Sequence, residues 1–367
     1  VSSESLSIDD YIFIGNGFMN SQLLWIIPFV DGYAKEKKIK VLIFEKNLAE
    51  KVYFQKKIRG ILKNYKIIYL EKEPKNLIFK IIKKLIFILK FFSTEALKLS
   101  FESKRNTLLE KIDWKRYQLR HAVWDQALNN SPDGLLNIPF KKRFISAVEV
   151  IDSMNKVNKI LKNYALECAI LGHTVYKGRG LLAELREKKV NILAHAFDVI
   201  HKVYPHKDTN WSLLSKDQWN FLVKQIKKNT IHNYWKKRVI GVSSYDDAKR
   251  AAIKNHEINS DTPKNVIFLH IFKDSPFNFI DKERIFSDYV DWIQETLKII
   301  SNSKEKWLIK AHPGALRWGE NQKIWLDNIF KRVFKKEIPK NIEIDYNSFS
   351  DIDLFSHINR VVTFHGT

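Results

Sequence analysis

Short apolar runs recur along the chain, separated by stretches with helical spacing. Residues 11–15 (YIFIG) read as a buried strand ending in the turn Asn16-Gly17. Residues 23–35 carry apolar positions at helical intervals, and 40–44 (KVLIF) and 66–70 (KIIYL) read as further strands. Strands apolar on both faces belong to parallel sheets covered by helices. Residues 108–130 predict an aromatic-rich helix with Trp114, Tyr117 and Trp124, followed by the turn Ser131-Pro132-Asp133-Gly134. A helix over 144–164, a strand over 168–171 (CAIL), a loop over 172–180, a helix over 181–188 and a strand over 190–194 (VNILA) make another βαβ unit. A polar stretch, 205–215, and a helix over 219–238 follow. The alternation then restarts with strands over 266–272, 306–311, 341–344 and 360–364 and helices over 283–300, 322–335 and 350–357. The polar segment 243–262 with the following Pro263 marks the break. The expected fold is α/β: two doubly wound, Rossmann-like domains facing a cleft, over 1–250 and 263–367. The C-terminal domain is expected to be incomplete, because the helix after its last strand would lie beyond Thr367.

One segment breaks this rhythm. In residues 75–92 (KNLIFKIIKKLIFILKFF), Lys80, Lys83, Lys84 and Lys90 fall within roughly a third of a helical circumference. Its longest apolar run, 85–89, is far short of the ~20 residues of a membrane span. Two readings stand: a helix lying on an anionic membrane surface, or a core helix of the first domain with a solvated lysine edge.

Charge narrows the partners. The 63 Lys+Arg against 41 Asp+Glu give +22, which favours nucleic acid, anionic lipid or phosphorylated substrates. The bland alternative for part of that lysine is the coding bias of an AT-rich genome. Cys168 is the sole cysteine, so an intrachain disulfide and a cysteine-based zinc site are excluded. Its apolar setting predicts a buried, inert thiol. Residues 1–10 are polar and acidic, unlike a secretory signal, so a cytoplasmic setting is expected. His195, His201 and His206 lack the i, i+4 spacing of a helical metal pair, and no metal or other cofactor is expected.

Candidate chemistry gathers at strand ends, where α/β sheets bind ligands. In 307–314 (WLIKAHPG), Lys310 and His312 share a face of an extended segment closed by Pro313. A cation and an imidazole so placed can neutralise a nucleotide phosphate without a metal; the alternative is a strand-end histidine with no ligand. In 361–367 (VVTFHGT), Thr363, His365, Gly366 and Thr367 suit a phosphate cradle or an ordinary turn. Neither the P-loop nor the dinucleotide pattern is present. Residues 270–275 (HIFKDS) add His270, Asp274 and Ser275. In the first domain, 172–180 (GHTVYKGRG) offers His173, Tyr176 and Arg179, and 13–17 (FIGNG) offers Gly15, Asn16 and Gly17. Plain connecting loops are the other reading of these last three segments. Asp31, Asp125 and Asp198 are further candidates for a base.

The stretches 265–279 (NVIFLHIFKDSPFNF), 286–300, 306–314 (KWLIKAHPG) and 351–367 (DIDLFSHINRVVTFHGT) resemble the C-terminal half of bacterial capsule and surface-polysaccharide biosynthesis proteins. Residues 117–128 (YQLRHAVWDQAL) and 171–193 are similar to that family's earlier helix and strand–loop–helix–strand. The likeness runs in islands over about 114–367. These proteins include GT-B glycosyltransferases with a Lys-x-His-Pro motif, similar to capsule Kdo transferases using CMP-activated sugars. The resemblance implies a metal-independent transferase moving a sugar from a nucleotide donor to a glycan or glycolipid acceptor, peripheral at the inner membrane, alongside other capsule-assembly proteins. It implies contacts with the nucleotide phosphate at Lys310, His312 and Pro313, with Thr363, Gly366 and Thr367 holding the same donor; His270, Asp274, Ser275 and His365, at the same strand ends, are expected to join them, with His312 and Lys310 stabilising the departing phosphate. With the donor on the second domain, acceptor-side contacts are expected in the first at Gly15, Asn16, Gly17, Asp125, Tyr176 and Arg179, with His173 a candidate base ahead of Asp125 and Asp198, and no nucleic acid is expected. Ala311 stands where the family usually has proline, and His365-Gly366-Thr367 where Gly-Ser is usual. A silent capsule-assembly scaffold, a polyanion- or nucleic-acid-binding protein and a glycerophosphate transferase with a CDP-linked donor are the rival readings.

Overall fold

The computed structural model describes residues 11–15, 20–45, 56–70, 94–108, 110, 112–172, 175–196, 199–203, 261–274, 285–335, 337–346, 354 and 357–364. The basic segment 75–92 and the predicted helix 219–238 lie outside them. The chain divides into two units. One comprises Val1–Ala127, Pro139–Leu213 and Phe277–Glu283; the other comprises Leu128–Ile138, Leu214–Pro276 and Arg284–Thr367. The sequence-predicted boundary at 243–262 falls mostly outside the described residues. Residues 128–138, expected in the N-terminal domain, group with the second unit.

The first unit holds β1 (Tyr11–Ile14), β2 (Val41–Glu45), β3 (Lys66–Leu70), β4 (Leu166–Leu171), β5 (Ile192–Ala196) and β6 (Val199–Val203). They form one sheet in the order β3-β2-β1-β4-β5-β6. All neighbours are parallel except β5 and β6, which run antiparallel. Its helices are α1 (Asn20–Glu36), α2 (Lys56–Leu62), α3 (Thr94–Glu102), α4 (Trp114–Asn129, whose last two residues pass into the second unit), α5 (Phe140–Asn163) and α6 (Gly178–Glu187).

The unbroken apolar strands are explained by cover on both faces. Alternate side chains Ile12, Ile14, Leu42, Phe44, Cys168 and Ile170 pack with Ile26, Ile27, Val30 and Ala34 of α1 and Ile58 and Leu62 of α2. Their neighbours Phe13, Ile43, Ala169 and Leu171 pack with Val157 and Ile160 of α5 and Leu181, Leu182 and Leu185 of α6. Cys168 is fully buried, and burial pushes its thiol up to about 12. A third cluster joins α3, α4, α5 and α6 through Leu99, Leu119, Val123, Phe144, Val148 and Ala183.

Gly180 lets α6 approach α5. A Cβ there would stand 2.7 Å from the Val150 carbonyl oxygen, a backbone atom that cannot swing away. Gly180→Ala is therefore expected to destabilise the protein by about 1–3 kcal/mol. The midpoint of urea unfolding measures it, and an unchanged midpoint would mean that the two helices part without cost.

The second unit holds β7 (Asn265–Phe268), β8 (Trp307–Lys310), β9 (Ile342–Asp345) and β10 (Arg360–Thr363), all parallel in the order β10-β7-β8-β9. Its helices are α7 (Tyr289–Ser301) and α8 (Gln322–Phe334). Asp288 caps α7 by accepting the Asp291 amide, and Asn321 caps α8 by accepting the Lys323 amide. The segment 128–138 is tied in by polar contacts. Asp133 accepts the Asn321 amide at 3.0 Å and pairs with Lys273 at 3.1 Å, and Asn328 donates to the Gly134 carbonyl at 2.9 Å.

Both sheets are α/β and Rossmann-like in strand order. In each, the first strand lies between the second and the fourth, so connections reverse direction at β1/β4 and at β7/β10. Crevices at the carboxyl ends of strands beside such reversals are where doubly wound folds bind ligands. No helix among the described residues is long and apolar enough to cross a membrane.

Candidate functional site

The second unit gathers the largest set of sequence-predicted site residues. β7 ends at Phe268, and two residues later comes His270, half-buried at the β7/β10 reversal. Its ring stacks on Tyr289 at 4.9 Å, the first residue of α7. β8 ends at Lys310, and His312 follows in the loop that Pro313 closes. The two imidazoles come together, with centroids 5.6 Å apart. Phe364, just past β10, sets its ring edge-on to Tyr289 at 4.9 Å and to Trp292 at 5.8 Å. Thr363 is exposed at the end of β10, level with Phe268 in the sheet.

The hydrogen bonds at His312 define its chemistry. The Gly314 amide donates to Nδ1 at 3.0 Å, so in the neutral ring the proton sits on Nε2. For His270, burial is the larger influence and holds the imidazole below its usual range, against the opposing pull of Asp274.

Lys310 sits differently from its expected role. Its ammonium lies 2.8 Å from Asp345, and both side chains are only about 1% exposed. The two stand side by side on adjacent strands, Lys310 level with Asp345. The lysine charge is engaged inside the sheet rather than offered at its rim.

Two residues that the sequence reading passed over organise these loops. Glu320, fully buried, accepts the amides of Phe272 at 2.9 Å and Lys273 at 2.8 Å. Burial outweighs those hydrogen bonds and pushes its carboxyl up to about 7, with Asp133 adding to the rise. Gln322 accepts the His312 amide at 2.7 Å and donates to the His270 carbonyl at 2.8 Å and to Glu320 at 3.0 Å.

Family models, curated proteins and solved structures give no match to this chain.

The first unit arranges its candidates otherwise. Gly15 follows β1, and its amide donates to the Ile170 carbonyl at 2.9 Å; a Cβ would stand 2.7 Å from the Leu171 side chain. Its smallness serves the close approach of β1 and β4 at the reversal. Asp125 of α4 and Arg179 of α6 are brought together, 3.7 Å apart and each about 1% exposed. They brace one helix against the other, inside the unit and not at an acceptor surface. Tyr176 is half-buried with φ +53°, a left-handed conformation that costs a side-chain-bearing residue roughly 1–2 kcal/mol. It turns the chain into α6, which starts at Gly178, earlier than expected. The following Lys177 amide donates to Gln126 at 3.2 Å.

Asn16, Gly17, His173, Ser275, His365, Gly366 and Thr367 lie outside the described residues, as do Asp198 and His206. Among the described residues, no group of three or more His, Cys, Asp or Glu is arranged to hold a metal ion.

Proposed function

We propose that the protein is a metal-independent glycosyltransferase of the GT-B type, moving a sugar from a nucleotide donor to a glycan or glycolipid acceptor in capsule or surface-polysaccharide assembly. The observation that carries this reading is the convergence of His270 and His312 past the carboxyl ends of the adjacent strands β7 and β8. The departing nucleotide phosphate needs charge stabilisation, the largest single contribution in such transfers. His312 is read as its partner, in the tautomer that the Gly314 amide favours by donating to Nδ1, with the proton on Nε2. Lys310 acts from behind, paired with Asp345, and contributes little net charge. The family resemblance of the Lys-Ala-His-Pro strand end supports a CMP-linked donor. The acceptor falls to the first unit, and a peripheral position at the inner membrane places the enzyme near lipid-linked acceptors.

Thermal-shift titration of the full-length protein with CMP, CDP, UDP and GDP tests this. One nucleotide is expected to stabilise the fold by about 2.7 kcal/mol at a hundred times its Kd. His312→Ala is expected to weaken that nucleotide about tenfold or more, the value of one hydrogen bond to a charged group. Absence of a shift with all four nucleotides overturns the donor site and brings forward the scaffold and polyanion-binding readings.

A further inference from the structure

The first unit carries an apolar surface that its own fold leaves open. Ala96 and Leu99 of α3 turn into the cluster shared with α4 and α5, and Arg143 of α5 donates to the Ser100 carbonyl at 3.1 Å. The helical register that buries those residues sends Leu97 and Phe101, one turn apart, outward. Leu97 is 44% exposed and Phe101 52%. Phe140, the first residue of α5, is 38% exposed, and its ring lies 4.7 Å from that of Phe101. On its other side Phe140 stacks at 5.9 Å on the buried Phe144. The outer rings are thus seated on the core and face solvent.

Lysines border this surface. Lys104 holds its ammonium 5.9 Å from the centre of the Phe101 ring. Lys98 and Lys141 follow Leu97 and Phe140 in the chain, and all three lysines are exposed. The acidic residues of α3, Glu95 and Glu102, are both engaged by Arg116, so they do not offset the lysines. Residues 75–92, which end two positions before α3, also mix lysine with Ile, Leu and Phe, and the whole chain carries +22. This mixture suits the boundary of an anionic bilayer. Phe and Leu enter the acyl edge, while a lysine buries its stem and leaves its ammonium among the phosphates. A nucleic acid would engage the cations and leave Leu97 and the rim of Phe101 against water.

We propose that the face formed by Leu97, Phe101 and Phe140, bordered by Lys98, Lys104 and Lys141, docks the first unit on an anionic phospholipid bilayer. The choice of a bilayer rests on the reading of an enzyme peripheral at the inner membrane; the placement of the face is read from the first unit alone.

The test is co-sedimentation of the full chain with phosphatidylcholine vesicles, with and without phosphatidylglycerol. Binding is expected on the anionic vesicles and is expected to weaken with added salt. Phe101→Ser with Phe140→Ser is expected to lower it about tenfold or more. A cation near an anionic surface is worth about fivefold, so Lys98→Gln, Lys104→Gln and Lys141→Gln together are expected to lower it about a hundredfold. This second variant leaves the apolar packing untouched should the serine protein fail to fold. An environment-sensitive dye on Leu97→Cys is expected to shift to the blue on the anionic vesicles, whereas the same dye on Lys188→Cys, exposed and outside the patch, is not; Cys168 is buried and leaves the introduced thiol alone to react. Undiminished vesicle binding in both variants overturns this face. A wild-type dimer that the serine variant loses, with no binding to vesicles, assigns the face to a second copy and overturns the bilayer. Neither variant is expected to change the thermal shift with nucleotide, so failure on vesicles leaves the transferase reading standing, and a protein that docks without responding to any nucleotide keeps the face and loses the donor site.

Discussion

Asp345→Ala is expected to cost the second unit about 3–5 kcal/mol, the usual cost of breaking a buried ion pair from one side. The carboxylate holds the Lys310 ammonium at 2.8 Å, and both side chains are nearly inaccessible. Removing Asp345 strands a positive charge between strands in a setting of low polarity. Lys310→Met combined with Asp345→Leu is expected to recover most of the loss, since an apolar pair of similar volume leaves no charge uncompensated. Urea unfolding followed by tryptophan fluorescence measures both. A loss under about 1 kcal/mol in Asp345→Ala would mean that water reaches the ammonium, as at an exposed pair. The double variant also isolates the chemistry. Nucleotide affinity equal to wild type would leave phosphate stabilisation to the histidines, whereas a steep loss would return Lys310 to the site.

The other large effect depends on pH. Glu320 has its carboxyl pushed up to about 7 by burial, from an ordinary value of 4.5. Between those two values the folded protein keeps a proton that the unfolded chain has released. Stability therefore falls as pH rises through about 4.5 to 7 and is level above that window, a total change of about 3 kcal/mol at ~1.4 kcal/mol per unit. Glu320→Gln is neutral throughout and is expected to flatten the slope. It also puts an NH2 group, which cannot accept, where a carboxyl oxygen takes the Phe272 or Lys273 amide, so it is expected to be less stable than wild type at pH 5. Urea midpoints at pH 5 and pH 8 decide the matter: an unchanged slope in the variant places the titrating group elsewhere.

The strands were the legible part of the fold. Runs such as Tyr11–Ile14 and Val41–Glu45 are apolar on both faces because helices cover both. The elements missed were those with weak patterns. β6 is an antiparallel neighbour of β5 whose central His201 and Lys202 break the apolar run. α2 is seven residues long with Gly60 inside it. The strand predicted over 266–272 stops at Phe268, while Leu269, Ile271 and Phe272 stay buried as loop residues. Burial alone had extended the run. At the site, His270 and His312 were legible because a strand leads into each. Glu320 and Gln322 were not, because their partners stand 48 and 52 positions away along the chain. The cue on offer was polarity just after Gly319, which reads as ordinary helix-start punctuation. Lys310 at a strand end and Asp125 and Arg179 on two helices show the reverse: charged residues whose partners, Asp345 for the first and each other for the second pair, draw them inward.

The segment 128–138 leaves the first unit between two of its own helices, supplies Asp133 and Gly134 to the second, and returns. The units are thus interlaced along the gene. A C-terminal fragment starting after residue 260 would carry Lys273, Asn321 and Asn328 stripped of the partners that this excursion provides. A cut between the predicted domains would separate two pieces of chain without yielding two whole folding units. Any dissection, swap or fusion at that point inherits the missing eleven residues, Leu128–Ile138, as a debt to be restored by grafting.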